Sequence, residues 1–314
     1  MQTVTLARHA MATRFELVLH GDDPIALRAA GEEALDEVDR LERQLSLYRP
    51  GSEIAQLNAR AAHEAVQVSP ELFALLQHAQ RLRVETKGAF DITIAPLVRC
   101  WGFMGDNGKM PSADDIIEAR AKVGMEQVLF DPVNRTIRFA QKGVMLDLGA
   151  IGKGYAVERG AAFLREAGVT SALFHGGTST VCAIGSPPDA EAWAVAIEQP
   201  PAVVGKISFP ELAPMLLKDE ALSVSAVWGR AFQSDGKNFG HVIDPRTGQP
   251  VEATWLSAVI SPSATETDAL STALLALGLT GLEGLASPRP GLRALLVTRD
   301  GDLKRYPDRG WPAF

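Results

Sequence analysis

Apolar positions recur first every second residue and then every third or fourth. Residues 13 to 20, TRFELVLH, alternate apolar and polar as a half-buried strand does. The stretch DDPIALRAAGEEALDEVDRLERQLSLY then sets Leu27, Leu35, Val38, Leu41 and Leu45 on one face of a long amphipathic helix. Pro24 falls in its first turn, where a missing N–H is tolerated. RPGSEIAQLN reads as a turn and a short helical piece. SPELFALLQHAQRLRVETKG is a second helix, with Ser69 as N-cap, Pro70 at N1 and Gly88 just past its end. SADDIIEARAKVG is a third.

After it the pattern becomes strand-rich. EQVLFDPVNRTIRFA predicts a hairpin. GVMLDLG predicts a strand that delivers Asp147 to its end, and GKGYAVERGAAFLREAG a helix. SALFHGG, VCAIG, WAVAIEQ and GKISFPEL read as successive strands, ALSVSA and NFGHVID as another pair, and LRALLVTRDGDLKRYP as an Asp-Gly hairpin. Neighbouring strands joined by short turns predict antiparallel pairing. The fold class is therefore α+β, a mostly antiparallel sheet flanked by helices. No repeat or flexible linker interrupts residues 1–314, which read as a single compact domain, with two lobes as a variant of that reading.

The stretch AVISPSATETDALSTALLALG, Ala258 to Gly278, reads as a strand stopping at Ser261-Pro262 and then an apolar helix. Asp268 and Thr272 stand i and i+4 apart, so both oxygens share one face. The apolar neighbours Ala269, Leu270, Ala273, Leu274, Leu275 and Leu277 predict burial, and a buried polar pair needs a partner. The two side chains are hard oxygen donors suited to Mg²⁺. A helix-dipole role for Asp268 and a bond from Thr272 to the preceding turn are the simpler alternatives.

Composition narrows the classes. The chain has 314 residues, 46% hydrophobic and 22% charged, the balance of a globular protein with a sizeable core. Net charge is -7, and no block of Lys and Arg stands out, which argues against nucleic acid as a partner. Cys100 and Cys182 have no metal-ligand spacing and read as core residues or free thiols. The amino terminus shows no export signal, and no run reaches about 18 consecutive apolar residues. A cytoplasmic protein without a membrane span is expected; a chain trimmed of its signal, and so periplasmic, would read the same.

Four further stretches carry candidate chemistry. LDLGAIGKGYA sets Asp147 before a glycine-rich turn and a helix start, an arrangement whose amides favour phosphate, although it lacks the Walker spacing. GAFDITIAPLVRCWGF offers Asp91 beside an aromatic plug. LSLYRPGSEIAQLN places Tyr48 at a helix end, where a ring can stack on another planar ring. FGHVIDPRTGQPV sets His241 near a strand end, suited to general-base work near neutral pH. Each has a bland reading as a turn, a cap or core.

Taken in order, MATRFELVLHG, LSLYRPGSEIAQLN, GAFDITIAPLVRCWGF, LDLGAIGKGYAVERG, FHGG, HVIDPRTGQP and SATETDALSTALLALG closely resemble the FAD:protein FMN transferases, the ApbE family. The resemblance runs from about residue 11 to residue 278 and implies a T-fold-like unit. It implies Mg²⁺-dependent cleavage of FAD, release of AMP, and linkage of FMN to a Thr or Ser of a client protein. By the same resemblance Met11, Tyr48, Ala89, Phe90, Asp91, Asp147, Lys153 and one residue of the Val242–Ile243 strand, Val242 or Ile243, contact FAD. Metal ligation falls to Ala150 through its carbonyl, Asp268 and Thr272. His241 is the expected base, beside the phosphate-binding segment in family order. An FAD hydrolase and a flavin-binding protein without transfer are the alternatives. Two stretches depart from the family pattern: VSAVW, Val224 to Trp228, and HGGTS, with Thr178.

Overall fold

The computed structural model describes residues 1–105, 108–198, 212–234, 236–308 and 311. β1 (Gln2–Ala10) and β2 (Thr13–Gly21) open the chain as a hairpin. α1 (Pro24–Leu45), α2 (Glu53–Arg60), β3 (Val66–Gln67), α3 (Pro70–Glu85), α4 (Ala95–Cys100) and α5 (Ala113–Arg120) follow. β4 (Val128–Asp131) and β5 (Thr136–Phe139) form the expected hairpin, and α6 (Gly152–Glu166) leads to β6 (Ala172–Gly176) and β7 (Thr180–Ile184). Next come β8 (Trp193–Val195), β9 (Met215–Leu217), β10 (Ala221–Ala226), β11 (Ala231–Ser234), β12 (Lys237–Gly240), β13 (Ile243–Asp244) and β14 (Gln249–Pro250). β15 (Thr254–Ser261), α7 (Ala264–Leu277), α8 (Gly281–Ala286), β16 (Arg293–Thr298) and β17 (Leu303–Tyr306) complete it.

Eight strands form one sheet in the order β1-β2-β6-β7-β10-β15-β16-β17, every pairing antiparallel. Strand alternation divides its apolar residues between two layers. Phe15, Leu17, Leu19 and Phe174 turn towards α1, α6 and α7 and build the main core. Leu173, Val181, Leu222 and Leu295 turn to the other face, where Trp193, Met215 and Leu217 cover them. β15 is covered on both faces, so all eight of its residues are buried. A third, smaller cluster gathers Leu97, Trp101, Phe103, Ile116, Phe239 and Ile243 around α4 and the β11–β12 hairpin.

The Ser69 cap holds as read: its Oγ accepts from the Leu72 amide. The structure adds Asp23 as the cap of α1, ahead of Pro24. Strand expectations differ at GVMLDLG, ALSVSA and NFGHVID, and one further strand was not expected. Residues 143–149 form no strand: the Leu146 backbone pairs with the side-chain amide of Asn58, and the Asp147 N–H donates to the Ile92 carbonyl. ALSVSA does not pair with NFGHVID. It is β10, between β7 and β15, because its buried Ala221, Leu222 and Ser223 belong to the central sheet. NFG instead folds back on AFQS, and Ile243–Asp244 pairs with Gln249–Pro250. Gln2–Ala10, which no motif singled out, is the edge strand β1. The GKISFPEL stretch lies outside the described residues except for its last leucine.

By length and composition, Ala264–Ala286 passes as a membrane span, at 23 residues and mean hydropathy 1.5. In the fold, α7 lies between α6 and strands β10 and β15, with Asp268, Thr267 and Ser271 buried on it. That is the placement of a core helix.

Candidate active site

Two helices meet at the centre of the candidate site and cap each other. Asp268 on α7 is buried, and its Oδ2 accepts from the Gly154 N–H, 2.9 Å away, in the first turn of α6. Glu158 on α6 returns the contact: its Oε2 accepts from Ser263 Oγ at 2.6 Å and from the Thr265 N–H at 2.9 Å, at the start of α7. Each carboxylate thus satisfies N-terminal groups that the other helix cannot bond internally. The approach requires glycine: a Cβ at Gly154 would stand 2.2 Å from the Ala264 carbonyl oxygen and 2.6 Å from the Asp268 Cβ.

The partner that sequence reasoning demanded for Asp268 is therefore in part an amide of the protein itself. Ala150 lies one residue before the α6 N-cap, Ile151, so no helical N–H is directed at its carbonyl, and among the described residues that carbonyl accepts no backbone N–H. Thr272, one turn along, bonds back to the Asp268 carbonyl at 3.4 Å and meets Ser225 Oγ at 3.2 Å. Among the described residues no group of three or more His, Cys, Asp or Glu converges. Ala150, Asp268 and Thr272 offer one carboxylate, one carbonyl and one hydroxyl. That oxygen set fits Mg²⁺, which takes one or two carboxylates and fills its shell with water and substrate phosphate.

Asp147 stands just before α6. Its Oδ1 accepts from the Gly149 N–H at 2.8 Å, its own N–H donates to the Ile92 carbonyl, and the preceding Leu146 backbone is held by Asn58. Burial pushes its carboxyl up, against the Gly149 bond and the charges of Lys153 and Arg230. Lys153 Nζ donates to the Gly149 carbonyl at 3.1 Å.

His241 follows β12. Its backbone N–H and its ring Nδ1 both meet the Arg230 carbonyl, at 3.0 and 3.1 Å. A carbonyl only accepts, so Nδ1 carries the proton and Nε2 keeps its lone pair. Burial pulls the imidazole below its ordinary value, and the Arg230 and Lys153 charges act in the same direction, opposed by the Arg230 carbonyl bond. The ring is neutral at pH 7.

The charges of Lys153 and Arg230 act on both Asp147 and His241, and Asp268 lies at the helix crossing. Other predicted residues stand differently. Asp91 is turned inward: Oδ1 accepts from the Thr93 N–H and Oγ1 at 2.8 and 2.6 Å, and Oδ2 pairs with Arg83 at 3.1 Å. Ala89, Phe90 and Ile243 are buried, which leaves mainly their backbone to face a ligand. Val242 is half-buried, and its carbonyl accepts from the Val251 N–H. Met11 sits in the β1–β2 turn, where Met11 and Ala12 both take positive φ, at 51° and 59°. Tyr48 is 66% exposed. A cleft of about 370 Å³ beside the Pro-Arg-Thr-Gly turn, lined by Asp244, Thr247, Glu252 and Ala276, includes none of Asp147, Lys153, His241 or Asp268.

Sequence reasoning assigned no role to Gly154, Glu158, Asn58, Ser225 or Arg230. Asn58 closed a quoted motif, and the register of the hairpin could have found Arg230. The two departing stretches adjoin: the Val224 N–H donates to the Ser179 carbonyl at 2.8 Å.

Comparison with known proteins gives this geometry its setting. The sequence model of the ApbE family matches residues 11–296. A FAD:protein FMN transferase of Klebsiella pneumoniae (strain 342) is 31% identical over 284 residues, 88% of this chain and 78% of that protein. One from Escherichia coli (strain K12) is 28% identical over 308 residues, 96% of this chain and 86% of that protein. The solved ApbE protein of Thermotoga maritima superposes with TM-score 0.85 at 29% identity, covering 97% of each chain. The apo flavinyl transferase ApbE of Pseudomonas stutzeri gives 0.81 at 30%, covering 97% of this chain and 94% of that one. Fold and relatives define a transferase enzyme of the flavin-transferring class. The chain belongs to the ApbE family.

Proposed function

We propose that this protein moves FMN from FAD to the hydroxyl of a threonine or serine on a client protein and releases AMP. The observation that carries the proposal is a neutral His241 with Nε2 open, facing the same charges, Lys153 and Arg230, that act on Asp147. Nε2 takes the proton of the acceptor hydroxyl as its oxygen attacks the phosphorus of the FMN half. The phosphoanhydride bond breaks and its electron pair leaves with AMP. Lys153 and the amides of the α6 start favour the phosphate charges, and Asp147 Oδ2 is left to accept from the nucleotide. Tyr48 is exposed for stacking on a flavin or adenine ring.

Ala150, Asp268 and Thr272 would hold Mg²⁺, whose charge, when bound, neutralises the pyrophosphate oxygens. Single-charge ligation suits an ion that shares its shell with substrate.

Incubation with FAD, Mg²⁺ and a candidate client, followed by mass spectrometry, tests the reading. A client carrying an added FMN on Thr or Ser is expected. Free FMN and AMP with no modified client would replace transferase by hydrolase. Bound FAD that stays intact would leave a flavin-binding protein.

A further inference from the structure

The hairpin that precedes His241 does more than deliver it. Ala231 pairs with Gly240, Phe232 with Phe239, Gln233 with Asn238 and Ser234 with Lys237. Continued one step past its base, this register sets Arg230 opposite His241. The Arg230 carbonyl there accepts both the backbone N–H and the ring Nδ1–H of His241. The Arg230 guanidinium reaches the other way: Nη2 donates to the Phe103 carbonyl at 2.7 Å and to the Gly105 carbonyl at 3.1 Å. The Phe103 ring in turn meets His241 edge-on, with centroids 6.5 Å apart. One residue thus links the aromatic loop, the hairpin base and the imidazole.

We propose that Arg230 is the positioning residue for His241, setting the ring's tautomer through its main-chain carbonyl and the ring's place through a guanidinium anchored on the Phe103–Gly105 loop. The same guanidinium is also one of two cations acting on the ring, the other being Lys153 from α6; Phe103 brings no charge. The guanidinium charge favours the neutral, proton-accepting form, against the carbonyl bond of the same residue, so loss of the side chain weakens both placement and basic readiness. This rests on His241 being the base, so the decisive measurement reads the ring directly.

Nitrogen-15 NMR of the histidine rings, assigned with His241→Gln, reports tautomer and titration midpoint without any turnover. The wild-type ring should carry its proton on Nδ1 and titrate below the ordinary histidine value. In Arg230→Met the main-chain carbonyl remains, so the Nδ1–H tautomer should be kept, while the midpoint should rise with the loss of the guanidinium. Arg230→Lys keeps a cation and should hold the midpoint near wild type. In the transfer assay, Arg230→Met should lose about 10–100-fold in kcat, with KM for FAD less affected, and its acid limb should move to higher pH. A wild-type ring protonated on Nε2 overturns the proposal without needing any variant. So does a folded Arg230→Met whose midpoint and transfer rate match wild type. An Arg230-dependent ring in a protein that transfers no FMN would sink the function proposed above and leave this inference standing.

Discussion

At the α6–α7 crossing, chemistry and stability use the same atoms. Asp268 caps α6, Glu158 caps α7, and Gly154 lets the two helices touch. At the β11–β12 hairpin the two are separate. Phe232 and Phe239 stack on each other and pack against Trp101, which holds the hairpin in place, while His241 sits past its end with one edge open. A candidate ligand embedded in a helix crossing is fixed by the core around it. A candidate base at a hairpin base is fixed by two bonds to one carbonyl, and can be removed without opening a core. The difference predicts that substitutions at the crossing cost stability and function together, and that substitution of His241 costs function alone.

The largest effect should come from the hairpin. His241→Ala should slow FMN transfer by about 10²–10⁴, or roughly 3–5 kcal/mol on the transition state. Its melting temperature and FAD affinity should match wild type. Transfer at the normal rate would place the base elsewhere. The wild-type rate should also fall as pH drops through a midpoint below the ordinary histidine value. A base must be unprotonated, and burial with Arg230 and Lys153 lowers the pKa of this one.

Gly154→Ala probes the crossing most severely. The added methyl must displace the Ala264 carbonyl or Asp268, so unfolding free energy should drop by about 3 kcal/mol or more. A variant as stable as wild type in a denaturant titration would mean that the helices can part without cost.

Asp268→Ala should be intermediate. It leaves the buried Gly154 N–H without its acceptor, at about 1–3 kcal/mol, and removes the one carboxylate proposed for Mg²⁺. Calorimetric titration with Mg²⁺ in the presence of FAD should show the metal lost. Unchanged metal affinity would reduce Asp268 to a helix cap. Thr272→Val keeps the shape and should lose less.

Tyr48 should show the smallest effect. Its ring is exposed, so Tyr48→Ala should leave stability within about 0.5 kcal/mol. It should weaken FAD binding by about 1 kcal/mol more than Tyr48→Phe does, because stacking area outweighs the hydroxyl. Equal losses from both would remove the stacking role.

Elements with a strong period were legible. The amphipathic run of α1, the Ser-Pro start of α3 and the Asp-Gly turn between β16 and β17 each carry a local signal that tertiary packing had no reason to override. Residues 143–149 misled because an apolar run says only that a segment is buried. Whether its backbone bonds go to a neighbouring strand or to Asn58 is decided by what lies beside it. ALSVSA and NFGHVID misled in the same way. Proximity in sequence suggested a pair, but the buried small residues of β10 fit between β7 and β15.

The candidate site divides along the same line. From sequence alone came the identity of the chemistry-bearing residues and the i, i+4 face shared by Asp268 and Thr272, since a helix fixes its own neighbours. Seven motifs in order also gave the family. Only the tertiary structure decided that Asp268 takes the Gly154 amide. It likewise decided that Asp91 is turned onto Arg83 and Thr93, and that Arg230 holds the imidazole. The contacts to Gly154, Arg83 and the imidazole join residues 114, 8 and 11 positions apart. Local periodicity carries no information about such partners. They exist because the packed core leaves each polar group one place to be satisfied.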